Sequence, residues 1–197
     1  MNVTRFETLL RPLTLPVVAV TTSAGGRRNG MIANSAQRAS LVPSHPRLSL
    51  YISKTNFSHD LVYASGIFGV HILYADQWSI IEQLGFRSGR EVEDKLEGIG
   101  TTTGATGCPL LEGTRAAFEC RVVNTMDAGG ATFFLGDVVS IIEGPDAPIM
   151  TSAHFRANVD PEARKTYQDR LAAAQAALEP LSAQIDRTPW PGPTVEP

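Results

Sequence analysis

The chain has 197 residues, a formal net charge of −3, 43% apolar residues and 19% charged ones. That length suits one domain with an appendage and is enough to bury a sizeable core, and the composition is globular rather than disordered. The slightly acidic balance argues against nucleic acid or an anionic membrane as the main partner, while leaving room for a local basic pocket.

The N-terminal stretch MNVTRFETLLRPLTLP carries Glu7 and Arg11 and has no small-residue cleavage pattern after an apolar core, which reads against a signal peptide. No apolar run approaches the ~18 residues that span a bilayer, so the expected location is the cytoplasm. Residues 16 to 22, PVVAVTT, are rich in β-branched types and predict a strand. Ser23 to Asn29, SAGGRRN, supplies hairpin-turn glycines, and Met31 to Arg38 is the expected returning strand. Arg47 to Ser53 alternates Leu48, Leu50 and Ile52 against Ser49, Tyr51 and Ser53, a half-buried strand with a polar face free to meet a ligand. Asn56 or Ser58 is placed to cap a short helix running to about Ser65 and closed by Gly66.

Ile67 to Leu73, IFGVHIL, is nearly all apolar and predicts a strand buried on both faces. Asp76 is the expected cap of the next helix, with Trp78, Ile81 and Leu84 at helical spacing and Gly85 at the C-cap. Residues 98 to 114 are rich in glycine and threonine and read as loop. Cys108 and Cys120 lack CxxC spacing and read as two reduced thiols. The four histidines, His45, His59, His71 and His154, show no metal-binding spacing. Two long strands follow, Arg115 to Met126 and Ala131 to Ile142, joined by the turn Asp127 to Gly130. In the first, Ala116, Phe118, Cys120 and Val122 alternate with Ala117, Glu119, Arg121 and Val123. Strands with only short helices between them fit a small antiparallel barrel with helices outside it, a mainly β fold with peripheral α.

From Pro161 the character changes. Tyr167, Leu171, Ala174, Leu178, Leu181 and Ile185 form a stripe that predicts a helix packed along one side, with Pro180 expected to kink or split it. The last ten residues, TPWPGPTVEP, predict an extended tail carrying Trp190. Residues 1–150 are thus expected as one domain and 151–197 as a helix and tail.

Two polar segments interrupt the apolar pattern: Asn29 to Pro43, NGMIANSAQRASLVP, and Ser53 to Asp60, SKTNFSHD. A phosphate monoester carries about −1.5 to −2 charges and needs donors and positive potential. Lys54 offers charge, Ser53, Thr55 and Ser58 offer hydroxyls, and a helix starting near Asn56 to Ser58 offers N–H groups and its dipole. The small residues Ala33, Asn34 and Ser35, with Ser40 beyond them, would let a planar ring lie against the backbone and meet its polar edge. Taken singly, these segments read equally as a solvated turn and an edge strand.

With the pieces PVVAVTT, NGMIANSAQRASLVP, YISKTNFSHD, SGIFGVHIL, DKLEG, GCPLLEG, FECRVV and DAGGATFFLGDV in order, the run from Leu13 to Ile142 resembles the flavin reductase-like family. The resemblance implies an FMN-binding split β-barrel with a C-terminal helical extension, a homodimer with FMN near the subunit interface, and hydride transfer from NAD(P)H to flavin. It implies Ala33, Asn34, Ser35 and Ser40 along the isoalloxazine edge and Ser53, Lys54 and Ser58 at the ribityl phosphate. Phe57, His59 and Phe86 are added to the cofactor-binding set, His59 being equally readable as a helix-face residue. No catalytic side chain and no metal ligand is assigned.

Two departures stand out. Many reductases of the family carry an Asp-His pair where this chain has Gly130 and Ala131, and an arginine is common where it has Phe57. The matching segments give the first reading, an NAD(P)H-dependent reductase that supplies reduced flavin to a partner monooxygenase, while the missing pair puts NAD(P)H use in question. The alternative is an FMN-holding electron-transfer protein that does not use NAD(P)H directly, and a third is a split barrel that has lost flavin and serves as a dimeric binding module. The extension at 161–197 is read either as a dimer arm whose Trp190 covers the cofactor or as a helix on its own barrel.

Overall fold

The computed structural model describes residues 16–185, together with residues 13 and 188. Nine strands and four helices follow in order. They are β1 Val18–Ala24, β2 Arg27–Ala33, β3 Ala36–Arg38, β4 Arg47–Ser53, α1 Phe57–Ser65, β5 Ile67–Ile72, α2 Trp78–Gly85, β6 Thr101–Thr103, β7 Pro109–Leu111, β8 Ala116–Asp127, β9 Ala131–Glu143, α3 Ser152–Asn158 and α4 Pro161–Ala183. Among the described residues no helix is long and apolar enough to cross a membrane.

Seven strands form one antiparallel sheet in the order β2-β1-β5-β8-β9-β4-β3. Its two edge strands, β2 and β3, are separated in sequence only by Asn34 and Ser35. Three Cα steps reach at most about 11 Å, whereas six strand spacings in a flat sheet would set the edges about 28 Å apart. The sheet therefore curls until its edges nearly meet, and the gap at Asn34–Ser35 is the split in a barrel. This corrects the expected single strand over Met31 to Arg38. The chain pairs with β1 as far as Ala33, leaves that edge, and joins β4 through Ala36↔Leu50.

Gly25 and Gly26, both at positive φ, make the tight turn between β1 and β2. Asn29 consequently lies in β2 and not in the turn, and it is buried. Val18, Val20, Met31, Leu50, Ile52, Phe68, Val70, Cys120 and Phe134 fill the barrel, joined by Val62 of α1. Gly136 makes room there, since a Cβ would sit 2.7 Å from the Phe68 ring. Ala19 of β1 and Val17 just before it face outward and join Ile80, Ile81 and Leu84 of α2 in a second core. β5 is buried on both faces, as its apolar run predicts.

Three further local expectations change. Asp76 does not cap α2. Gln77 is the boundary residue, and its side chain is occupied by the Tyr74 N–H (2.9 Å) and the Gly113 carbonyl (3.0 Å). Gly85 ends the helix without a left-handed φ, and Phe86 follows as boundary. The glycine serves close approach, because a Cβ would lie 3.2 Å from Ile32 on β2. The glycine- and threonine-rich stretch is not plain loop, since β6 and β7 pair as a ribbon across the outer face of the sheet.

Pro180 does not split α4, which runs on to Ala183. Its last turn is seated on the β8–β9 turn: Gly129 and Gly130 approach Leu178, Leu181 and Ser182 so closely that a Cβ on either would touch them. That seat compensates for the backbone bond a proline removes. α3 has no counterpart among the predicted elements, although Thr151 caps it by accepting the His154 N–H at 3.0 Å. The expected tail with Trp190 lies outside the described residues.

His71 is fully buried between the sheet and the ribbon. The Leu111 N–H donates to its Nε2 (3.0 Å), so Nδ1 carries the proton and points at the Ala19 carbonyl (3.3 Å). Burial pushes the imidazole pKa down from 6.5 to about 4, against the smaller effect of that carbonyl. Between those values the unfolded chain binds a proton that the folded chain refuses. Stability is complete above pH 6.5 and falls as the pH drops toward 4, by roughly 3 kcal/mol over the window. Urea midpoints measured from pH 7.5 to 4.5 should show this decline, and it should shrink in His71→Gln. An equal decline in both proteins would remove His71 as its source.

Candidate functional site

The curl of the barrel brings the two polar segments together. Ala33 closes β2 and Ser53 closes β4, and Ser35 between them donates its hydroxyl to the Tyr51 carbonyl at 2.7 Å. Asn34 is exposed at the split. Past β4 the chain turns into α1, and the Ser53 and Thr55 hydroxyls pair at 2.8 Å. Asn56 is the boundary residue of α1 but makes no side-chain cap, so the first N–H groups of the helix are left for other acceptors. The Lys54 N–H bonds the Gly130 carbonyl at 3.0 Å, and its ammonium meets both Asp127 carboxylate oxygens at 2.9 Å. That ammonium, together with the Gly129 N–H, holds the Asp127 carboxyl below the usual carboxylate range.

The remaining candidates divide. Ser58 is buried, and its hydroxyl accepts from the Asn29 amide at 2.8 Å, tying α1 to β2 near the β1–β2 turn. His59 is buried too. Its Nε2 sits 2.9 Å from the Thr132 hydroxyl, its Nδ1 3.2 Å from Asp60, and its ring packs on Tyr63 and Phe134. Both residues lie under the site and not on its surface. Phe86 follows α2 and packs partly buried against the second core. Ser40 stands apart. Ala39 bonds Arg47 at the far end of β4, which sets Ser40 roughly 20 Å along the strand from Ser53.

Phe57 occupies the first turn of α1, and two arginines lie over its ring. The Arg27 guanidinium is 4.3 Å and that of Arg90 5.3 Å from the ring centroid. Sequence reasoning missed both. They stand in segments far apart in the chain, and nothing near either one signals the other. A cleft of about 720 Å³ lies beside them, lined by Gly25 to Arg28 and Arg90 to Asp94. A larger cleft, about 850 Å³, opens between Tyr74, Leu111, Ile142 and Pro148 at the opposite end of the β8–β9 ladder and contains none of the candidate residues. The thiols of Cys108 and Cys120 are pushed up by burial to about 12, so neither is a nucleophile at neutral pH.

This arrangement suits a planar ligand with a phosphate at one end. Small side chains border an opening, hydroxyls and a helix start lie next to it, and cationic side chains ring the helix end.

Residues 10–162 match the family of flavin reductase like domains. The chain is 34% identical over 138 residues to a ferric-chelate reductase (NAD(P)H) of Archaeoglobus fulgidus, covering 69% of this chain and 80% of that one. It is 32% identical over 139 residues to the reductase subunit HsaB of a flavin-dependent monooxygenase of Rhodococcus jostii, covering 71% and 68%. Among solved structures, the NADH:FAD oxidoreductase SgcE6 of Streptomyces globisporus C-1027 superimposes with a TM-score of 0.67 at 26% identity, covering 75% of this chain and 86% of that one.

Proposed function

The chain belongs to the flavin reductase-like family, and we propose that it transfers a hydride from NAD(P)H to a flavin held at the split of the barrel, with FMN as the flavin. The observation that carries this reading is the convergence of Ala33–Ser35 and Ser53–Ser58 at one gap in the sheet. The residues present fit a flavin nucleotide. Hydroxyls, an uncapped helix start and a guanidinium with no carboxylate partner within 4.0 Å among the described residues lie together at its phosphate end.

Bound flavin supplies the acceptor for the hydride of a reduced nicotinamide. Ala33, Asn34 and Ser35 admit the ring and offer donors to its polar edge, where negative charge grows. Ser53, Lys54 and Thr55 hold the phosphate. Ser58 and His59 fix the start of α1 from below through Asn29 and Thr132. None of these residues has to move a proton.

A second copy of the chain is the proposed partner in assembly. Tyr51, Phe133 and Met126 are neighbours across β4, β9 and β8, and all three are exposed. Together they make an exposed apolar patch of the kind that oligomers cover. In that reading α4 serves as the dimer arm. A monooxygenase that consumes reduced flavin is the proposed downstream partner, as the name of the Rhodococcus relative suggests.

Steady-state oxidation of NADH and NADPH with excess FMN tests the reading, and no turnover with either donor despite bound flavin would reject it. The seat of α4 on Gly129 and Gly130, beside Lys54, favours one alternative, an electron carrier whose nicotinamide face is covered. In that case photoreduced protein would pass electrons to an acceptor while remaining inert to NADH.

A further inference from the structure

We infer that Arg27 and Arg90, mounted on the ring of Phe57, form the anion clamp for the phosphate end of the flavin nucleotide. The inference rests on the flavin-binding reading and names the charges that would serve it.

Of the cations around the start of α1, most are matched by carboxylates. Lys54 is held by Asp127 at 2.9 Å, Arg28 pairs with Asp94, and Arg90 pairs with Asp60 at 2.6 Å. Arg27 differs. Its guanidinium is fixed by two backbone carbonyls, those of Gly89 and, at 3.2 Å, Val92, and by the Phe57 ring, with no carboxylate within 4.0 Å among the described residues. Its charge is oriented but not neutralised. Arg90 reaches the same place from the other side, bonding the Thr55 carbonyl at 3.3 Å within the polar segment itself.

Phe57 is the mount. Its ring takes both guanidinium groups by cation–π attraction, so their planar forks are ordered before any anion arrives. Gly89 permits this, since a Cβ there would sit 2.7 Å from the Phe57 ring and against Asn29. The aromatic residue on α1 thus replaces a cation on the helix with two cations borrowed from β2 and from the segment after α2. The ligand chemistry is a phosphate oxyanion, and two sources offer it: the monoester of FMN and the pyrophosphate of FAD. The adjoining 720 Å³ cleft has Arg27, Arg28 and Arg90 in its wall together with Glu91, Glu93 and Asp94, and Asp94 is taken up by Arg28 and Glu91 by Arg170.

The test is a titration of the full-length protein with riboflavin, FMN and FAD, followed by flavin fluorescence. The variants are Arg27→Gln, Arg90→Gln, both together, Arg27→Lys, and Arg38→Gln on β3 as a control. Wild type should bind FMN more tightly than riboflavin. The double variant should lose about tenfold or more in FMN affinity, the scale of charge-assisted bonds to phosphate, and keep riboflavin affinity nearly unchanged. Arg27→Lys should recover part of the loss, and Arg38→Gln should match wild type. A larger loss for FAD than for FMN would assign the clamp to the pyrophosphate, and the reverse would assign it to the monoester. An unchanged ratio of FMN to riboflavin affinity in the double variant would overturn the clamp while leaving flavin binding intact. Wild-type protein that binds none of the three flavins would overturn the clamp and the flavin reading together.

Discussion

Replacing Glu119 by alanine should lower the unfolding free energy by roughly 3 kcal/mol, the cost of losing three hydrogen bonds made by one buried carboxyl group. Glu119 sits in β8 with no exposed surface. Its carboxylate accepts the Ala105 N–H at 3.0 Å, the Thr106 N–H, and the Thr106 hydroxyl at 2.6 Å. Gly104 lies so close that a Cβ would collide with it. The carboxylate therefore organises the turn between β6 and β7, and that ribbon covers His71 and the outer face of β5. Glu119→Gln retains one acceptor but turns an NH₂ toward a backbone donor, so it should lose less than alanine yet well over 1 kcal/mol. Urea unfolding of the three proteins at neutral pH measures this, and a loss below 1 kcal/mol for Glu119→Ala would show that the turn forms without it.

The second large effect concerns Lys54 and has opposite signs in two variants. In the free protein the ammonium is shared with Asp127, whose carboxylate is largely exposed. A flavin phosphate has to compete with that carboxylate. Lys54→Met should therefore weaken FMN binding about ten- to a hundredfold, the range of a charge-assisted hydrogen bond to phosphate. Asp127→Asn should leave FMN binding as tight or make it tighter, because it releases the lysine. Riboflavin, lacking the phosphate, should respond little to either change. Equal losses of FMN affinity in both variants would mean that the pair only shapes the β8–β9 turn.

Local pattern was enough wherever an element was set by its own residues. Gly25 and Gly26 allow the two positive φ angles of the first hairpin, and the apolar run of β5 has no polar face to expose. It failed where a partner distant in sequence decides the outcome. Nothing in residues 31–38 says that the chain changes edges at Asn34, because the segment is short enough to read as one strand and only the closure of the barrel divides it. Glu119 falls on the polar alternation of β8 and reads as solvent-facing until the β6–β7 ribbon is laid over it. Gly85 resembles a helix cap but is required by Ile32. α3 was open to discovery, since Thr151 is a good cap, although seven residues carry little periodicity.

The site shows the same division. Its two segments are recognisable as hydroxyl- and amide-rich interruptions of a β-rich chain, and the curled sheet joins them. Ser58 and His59 looked like ligand groups because of their position at a helix start, yet their bonds to Asn29 and Thr132 place them under the site. Arg27 and Arg90 meet over Phe57 only in three dimensions. The apolar stripe of α4 does not pack the helix along one side as its spacing predicts: Tyr167, Leu171, Leu181 and Ile185 each stay about two-fifths exposed, and only the last turn is seated on the β8–β9 turn.

The most direct measurement is the visible spectrum of FMN-loaded protein before and after NADH is added without oxygen. The flavin absorption band should bleach within the time of mixing and return on admission of air. A band that persists with NADH and with NADPH, in protein that demonstrably holds FMN, would contradict it.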